Sequence, residues 1–309
     1  MRRTPMILDC DPGHDDAVAI MMAGADPSIE LLGLTISAGN QTLEKTGRNA
    51  LNLVQYLNLD VPVCPGSPRP LIRELQIADD IHGESGLDGF TFPPLKRRFD
   101  ERAAVDFIID TLLAHPEPVT LVTTGPMTNV ALAMRLRPEI IPNIRRIVLM
   151  GGSYGYGNVT PAAEFNIRVD PEAAHILFTS GVPLVMMGLD VTRQVLVREE
   201  IIERMESVGT SAARLFCDLM RAFNATQREV YSLPGGPLHD PVTIAYLIDP
   251  SLFTMQHVHC AIDLSHGESY GRTNCDMFDY LGRPRNVHVA KQIDAEGFFN
   301  LVEHTLEQY

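Results

Sequence analysis

Met6-Ile7-Leu8-Asp9-Cys10-Asp11-Pro12-Gly13-His14-Asp15-Asp16 sets the pattern for the whole chain. The apolar triplet reads as a strand buried on both faces. A polar turn ends it, and Asp15 to Ala25 reads as a helix with acids in its first turn, where the helix dipole favours them. The same alternation continues outward. Strands are expected at Leu31 to Ile36, Val61 to Val63, Val119 to Thr123, Ile147 to Met150 and Leu184 to Leu189. Helices are expected at Leu43 to Leu57, Ala103 to Ala114, Asn129 to Leu136 and Asp170 to Thr179. From Arg198 to Arg228 the pattern is helical, followed by strand-like pieces at Met255 to Asp263 and Val287 to Ile293 and a helix at Ala295 to Glu307. Such alternation predicts an α/β fold: a single Rossmann-like domain over residues 1–309, its mostly parallel central sheet flanked by helices on both faces. The glycine- and proline-rich 70s to 90s read as a long functional loop.

Composition narrows the function. The 309 residues carry a net charge of −14, which disfavours nucleic acid and anionic membranes as partners, since both require basic surfaces. The apolar run Ala17 to Ala25 is far short of the ~20 residues that span a bilayer. Arg2 and Arg3 precede no signal-peptide core, because Asp9 and Asp11 interrupt it. Five cysteines without a CxxC pair suggest neither a disulfide framework nor a zinc ribbon. A cytoplasmic location is expected.

Asp9, Asp11, Asp15 and Asp16 crowd four carboxylates into eight residues. Asp9 and Asp11 are two apart at a strand end and are expected to point to one side. Asp15 and Asp16 could cap the helix and Asp9 and Asp11 make turn hydrogen bonds, but capping needs one aspartate and not four. The remaining repulsion calls for protons or a cation, and hard divalent cations such as calcium or magnesium take oxygen ligands. An EF-hand is excluded, because the twelfth position counted from Asp9 is Ile20 where a glutamate is required. Cys10, among these acids, is expected to have a raised thiol pKa and no nucleophilic role.

The run resembles the D-x-D-x-x-x-D-D signature of the inosine–uridine-preferring nucleoside hydrolase family. Further matching segments follow in order: Ala38-Gly39-Asn40-Gln41-Thr42, His82-Gly83, Thr124 to Asn129, Met150-Gly151-Gly152, Glu164-Phe165-Asn166, Asp170-Pro171-Glu172-Ala173 and His239-Asp240. The resemblance runs nearly end to end and implies an N-glycosidase acting on small ribonucleosides. It implies one Ca2+ per subunit, held by Asp11, Asp16, the Thr124 carbonyl and Asp240. It also implies that Asp11 is general base on the calcium-bound water, and that Asp15, Asn40, Asn158, Glu164 and Asn166 hold the ribose hydroxyls. Asp9 would support these from behind. Relatives are commonly homotetramers.

The resemblance also makes His239 and His82 catalytic, assisting the leaving base, a task suited to a histidine titrating near 6.5. Gln227 and Tyr231 look like base-contacting residues of the pyrimidine-preferring subgroup. Purine-specific relatives stack the base on tryptophan, and this chain has none. Pyrimidine ribonucleosides, uridine and cytidine, are therefore the expected substrates. Val159 departs from relatives that place an aromatic ring there. Two other classes remain to be weighed. An aspartyl phosphatase of the D-x-D-x-[TV] type needs Thr or Val where Gly13 stands, and leaves Asp15, Asp16 and His239-Asp240 without a role. A non-catalytic nucleoside-binding protein would be expected to have lost Asp11 or a metal ligand.

Overall fold

The computed structural model describes residues 3–309, so Arg2 lies outside the described residues. The first third of the chain forms β1 (Thr4–Cys10), α1 (His14–Ala25), β2 (Ile29–Ile36), α2 (Leu43–Tyr56) and β3 (Val63–Pro65), then a long loop interrupted by the single turn α3 (Asp79–His82). The second third forms α4 (Ala104–Ala114), β4 (Val119–Thr123), α5 (Thr128–Leu136), β5 (Ile144–Met150), α6 (Phe165–Val169), α7 (Pro171–Phe178) and β6 (Leu184–Met187). After it come α8 (Leu189–Thr192), β7 (Leu196–Val197), α9 (Glu199–Glu206), α10 (Ser211–Tyr231), β8 (Gly236–Pro237) and α11 (Pro241–Ile248). The chain closes with β9 (Phe253–Ile262), β10 (Thr273–Asp276), β11 (Val287–Ile293) and α12 (Ala295–Glu307).

Nine strands make one sheet in the order β10-β9-β11-β6-β5-β4-β1-β2-β3. From β6 through β5, β4, β1 and β2 to β3 every pair is parallel, as is the β11–β6 pair, while β9 pairs antiparallel with both β11 and β10. The expected mostly parallel sheet is thus present. Successive residues of β1 serve opposite faces, as strand geometry requires. Met6 and Leu8 join one buried cluster with α1, α2, α10 and α12, while Ile7 joins the other with α4, α5 and α7. Helix α1 is buried from His14 to Ala23, which accounts for its lack of a polar face.

The chain leaves β1 to build β2 and β3 on one side, then returns to build β4, β5 and β6 on the other. The strand order therefore reverses between β1 and β4, and the loops after their carboxyl ends diverge to leave a crevice. Asp11 follows β1 and Thr124 follows β4, so this topology places both at that crevice.

Several boundaries differ from those read in the sequence. The helical stretch Arg198 to Arg228 is two helices, because Gly209 adopts a left-handed φ of +75° and Thr210 caps α10 by accepting from the Ala213 N–H. Strand β6 stops at Met187, since Gly188 turns the chain into α8. The expected strand at 61–63 lies at Val63–Pro65 instead. Helix α11 and strand β10 were not anticipated. The first opens on Pro241 and the second is short and polar.

Candidate active site

A cavity of about 600 Å³ opens at the crevice. Asp15, Asn40, Thr124, Asn158, Glu164, Asn166, Asp240, His82, His239, Gln227 and Tyr231 all line it. Val159 lines it too. Residues scattered over most of the sequence are thereby gathered at one end of the sheet. Asp11 and Asp16 are not among the lining residues, but both are fully buried and both are bonded to Asn40, which is.

The turn after β1 is built around its carboxylates. Asp11 Oδ2 accepts from the Asn40 N–H at 2.7 Å, while its Oδ1 is buried without a protein partner. Asp16 Oδ1 accepts from the Thr124 hydroxyl at 2.8 Å, and its Oδ2 from the Gly13 N–H at 3.0 Å and Asn40 Nδ2 at 3.1 Å. Glycine is required on both flanks of Asp11. A Cβ at Gly39 would lie 2.1 Å from Asp11 Oδ2, and one at Gly125 would lie 2.5 Å from Asp11 Oδ1.

Asp9 shares no side-chain hydrogen-bond partner with Asp11. Its Oδ1 accepts from Thr35 of β2 at 2.7 Å and from Asn129 of α5 at 2.8 Å, so it ties neighbouring elements together behind the site. Burial pushes its pKa up to about 7. Asp11 and Asp240 are raised well above the ordinary carboxylate range, chiefly by burial, and then by repulsion from the neighbouring acids. Asp15 is raised to about 7 by burial and Asp16.

Asp15, Asp16 and Asp240 each offer an oxygen, and these lie within 4.8 Å of one another. This cluster contains Asp15, which the resemblance assigned to the ribose, and omits Asp11, whose carboxylate is drawn toward Asn40. The donor set suits a hard cation: the cluster offers buried carboxylate oxygens, Asp11 Oδ1 in the same turn is unpartnered, and among the described residues no cationic side chain is hydrogen-bonded to them. Cys10 has its thiol pKa raised well above normal by burial and the surrounding aspartates, as its place in the sequence suggested.

Glu164 caps α6, accepting from the N–H groups of Asn166, Ile167 and Gly152 at 2.8–3.2 Å. Burial outweighs these bonds and lifts its pKa to about 7. Asn166 Nδ2 donates to the Thr124 carbonyl at 2.7 Å. Asn158 Oδ1 accepts from the Phe165 N–H at 2.9 Å, fixing its loop against α6.

The histidines depart from expectation in one respect. Burial lowers His239 to about 3, with Arg193 adding to the shift, and burial with His14 nearby takes His82 well below its ordinary value. Both are therefore neutral near pH 7 rather than poised near 6.5. His239 Nδ1 lies 2.6 Å from Thr192 Oγ1. His82 Nδ1 lies 3.3 Å from His14 Nδ1, and both rings lie near-parallel to Phe223. Gln227 is buried, whereas Tyr231 is 44% exposed at the end of α10.

Sequence reading missed His14, Thr192, Arg193 and Phe223. One signal was available for Phe223, because Phe223, Gln227 and Tyr231 are spaced four apart and share one face of α10. Arg193 follows α8, sits over the Tyr156 ring at 4.4 Å and donates to the Gly157 carbonyl at 3.0 Å. Its role depends on a loop more than thirty residues away, and nothing local announces it.

The family model described as inosine-uridine preferring nucleoside hydrolase matches residues 6–300. The pyrimidine-specific ribonucleoside hydrolase RihB of Escherichia coli is similar at 53% identity, covering all of this chain and 99% of the relative. Among solved structures, a purine-preferring ribonucleoside hydrolase from Gardnerella vaginalis superposes with a TM-score of 0.92 at 34% identity, covering 98% of each chain. A plant nucleoside hydrolase gives a TM-score of 0.91 at 33% identity, covering 98% of this chain and 99% of the other.

Proposed function

The chain belongs to the inosine–uridine preferring nucleoside hydrolase family, whose members hydrolyse the N-glycosidic bond of ribonucleosides, and from that premise we propose a calcium-dependent enzyme preferring pyrimidine ribonucleosides. Uridine and cytidine are its substrates, and ribose and the free base its products. The observation that carries this reading is the single cavity that brings His82, His239, Gln227 and Tyr231 together with Asp15, Asp240 and Glu164. The pyrimidine-specific name of the E. coli relative supports it. Overall fold does not decide the point, since the Gardnerella vaginalis relative is purine-preferring and shares that fold.

Asp11, Asp16, the Thr124 carbonyl and Asp240 would hold the calcium ion. When bound, calcium supplies fixed positive charge that acidifies water and favours vicinal hydroxyls as ligands. Asp11 takes the proton of the attacking water. Asp15, Asn40, Asn158, Glu164 and Asn166 grip the ribose hydroxyls. Bond cleavage builds positive charge on the sugar, and the surrounding carboxylates stabilise it. A pyrimidine has no N7 to protonate, so help for its departure must come at its ring oxygens or N3 edge. His82 and His239, neutral and buried, act there as N–H donors. The enzyme works as one domain over residues 1–309, as a homotetramer and in the cytoplasm, readings that rest on the resemblance and on the expectation of unpaired cysteines. Among the described residues, no helix is long and apolar enough to cross a membrane.

Ribose release from a panel of nucleosides tests the base and sugar preferences together. Uridine and cytidine should be cleaved with higher kcat/KM than inosine and adenosine. Loss of the 2′-hydroxyl should cost up to ~10⁴, because a site built for that group is left with unpaired polar atoms. Equal kcat/KM for uridine and inosine would refute the base preference, and equal values for uridine and 2′-deoxyuridine would refute the ribose contacts.

A further inference from the structure

Two thiols that the proposed chemistry does not use meet at the far edge of the sheet. Cys260 on β9 and Cys275 on β10 are directly opposed in antiparallel register. The kind of pair follows from the ladder. Asp263 N–H donates to the Arg272 carbonyl at 2.9 Å, so that opposed pair is a hydrogen-bonded one. The two kinds alternate, and the Cys260–Cys275 pair, three steps along, is of the non-hydrogen-bonded kind, where facing side chains lie closer. Cys260 agrees, since its N–H goes to Asn286 Oδ1 at 2.8 Å. The two Sγ atoms are 2.9 Å apart. A disulfide needs about 2.0 Å between sulfurs and Cα atoms about 4.4–6.8 Å apart, a range compatible with such a pair, so closure requires little movement.

Access is asymmetric. Cys275 is half-buried on the outermost strand, while Cys260 is buried on the next strand inward. Burial and the neighbouring Cys275 hold the Cys260 thiol in its protonated form, so the outer sulfur is the one that meets a reagent first. The other cysteines, Cys10, Cys64 and Cys217, are buried.

We propose that Cys260 and Cys275 form an oxidation site that a peroxide closes to a cross-strand disulfide. The Cys275 sulfur attacks the peroxide, the O–O bond breaks, and a sulfenic acid and one water result. The Cys260 sulfur then displaces the hydroxyl from Cys275, and the Cys260 proton leaves with it as a second water. Two thiols lose two electrons and two protons, and hydrogen peroxide takes them up. The bond would staple β10, whose Thr273 hydroxyl donates to the Ser153 carbonyl at 2.6 Å and accepts from the Ser153 N–H at 2.8 Å. Ser153 adjoins Gly152, whose N–H donates to Glu164. The staple therefore fixes the strand that anchors one wall of the site.

Peptide mapping after brief treatment of the native enzyme with hydrogen peroxide tests this. Trypsin cuts at Arg272 between the two cysteines, so a disulfide appears as a linked peptide pair. The expected result is a Cys260–Cys275 linked pair, with the other three of the five cysteines still alkylated after denaturation, and full reversal by dithiothreitol. Cys260→Ala removes the resolving thiol, so a dimedone adduct should accumulate at Cys275, while uridine hydrolysis is unchanged. Five alkylatable thiols after peroxide, oxidation of Cys275 to sulfinic acid without a linked pair in wild type, or no Cys275 adduct in Cys260→Ala would each overturn the proposal.

Discussion

At the residue scale, His239 illustrates how environment revises an expectation drawn from side-chain type. Its identity and its neighbour Asp240 are plain in the sequence, but its burial and its 2.6 Å contact with Thr192 are not. A neutral imidazole still donates one N–H, and that is what a departing pyrimidine needs. His82→Ala and His239→Ala should each lower kcat on uridine by ~10² to 10⁴, the range for loss of a proton-donating group. p-Nitrophenyl riboside, whose leaving group needs no such help, should be cleaved by both variants at near wild-type rates. Equal losses on both substrates would make the histidines structural. The Asp9, Asp11, Asp15 and Asp16 run was legible for the same reason that His14 and Thr192 were not. Crowded like charges demand an explanation on sight, whereas a lone histidine or threonine acquires meaning only from what packs on it.

At the scale of elements, the site depends on turns that press backbone against one carboxylate. Gly39 follows β2 and Gly125 follows β4, and both approach Asp11 too closely for a side chain. Gly125→Ala should destabilise the protein by about 1–3 kcal/mol through overpacking. Displacing Asp11 by even an ångström should also cost roughly 10² in kcat on uridine. Thermal unfolding and steady-state kinetics on the same variant measure the two effects, and wild-type values for both would show that Asp11 has room to move. Most elements that carry the site could be read from periodicity. Val119 to Thr123, Val287 to Ile293 and Ala295 to Glu307 fall where the sequence put them. Where reading failed, at α8, α11 and the break between α9 and α10, the elements are short or set by a single glycine, and periodicity has too few turns to register.

At the scale of the whole molecule, alternation of strand and helix foretold a parallel sheet, but not the reversal of strand order between β1 and β4 that makes the crevice. That reversal is a choice of side for each crossover, which local sequence does not encode. The crevice gathers acids whose burial has a consequence for stability. Asp9, Asp15 and Glu164 each have folded pKa values near 7, above the ~4 of an unfolded carboxyl. The folded metal-free protein thus binds more protons than the unfolded chain, and its stability falls as pH rises through 7. His14, lowered to about 4, and His239, lowered to about 3, act in the opposite sense, but only below the unfolded histidine value of ~6.5. Between pH 6.5 and 8 the carboxyls therefore set the sign. Chelated protein should melt at lower temperature as pH rises across that window, and saturating calcium should flatten the slope. A chelated protein whose melting temperature is level or rising there would show that these acids are not protonated in the fold.

The central claim is that this carboxylate cavity hydrolyses pyrimidine ribonucleosides only with calcium in place. Its most direct test is ribose release from uridine by enzyme stripped of metal, with the loss verified by elemental analysis, and then titrated with calcium. The account predicts no release above background from the stripped enzyme and recovery of activity in proportion to bound calcium, up to one ion per chain. Undiminished uridine hydrolysis by the verified metal-free enzyme would contradict it.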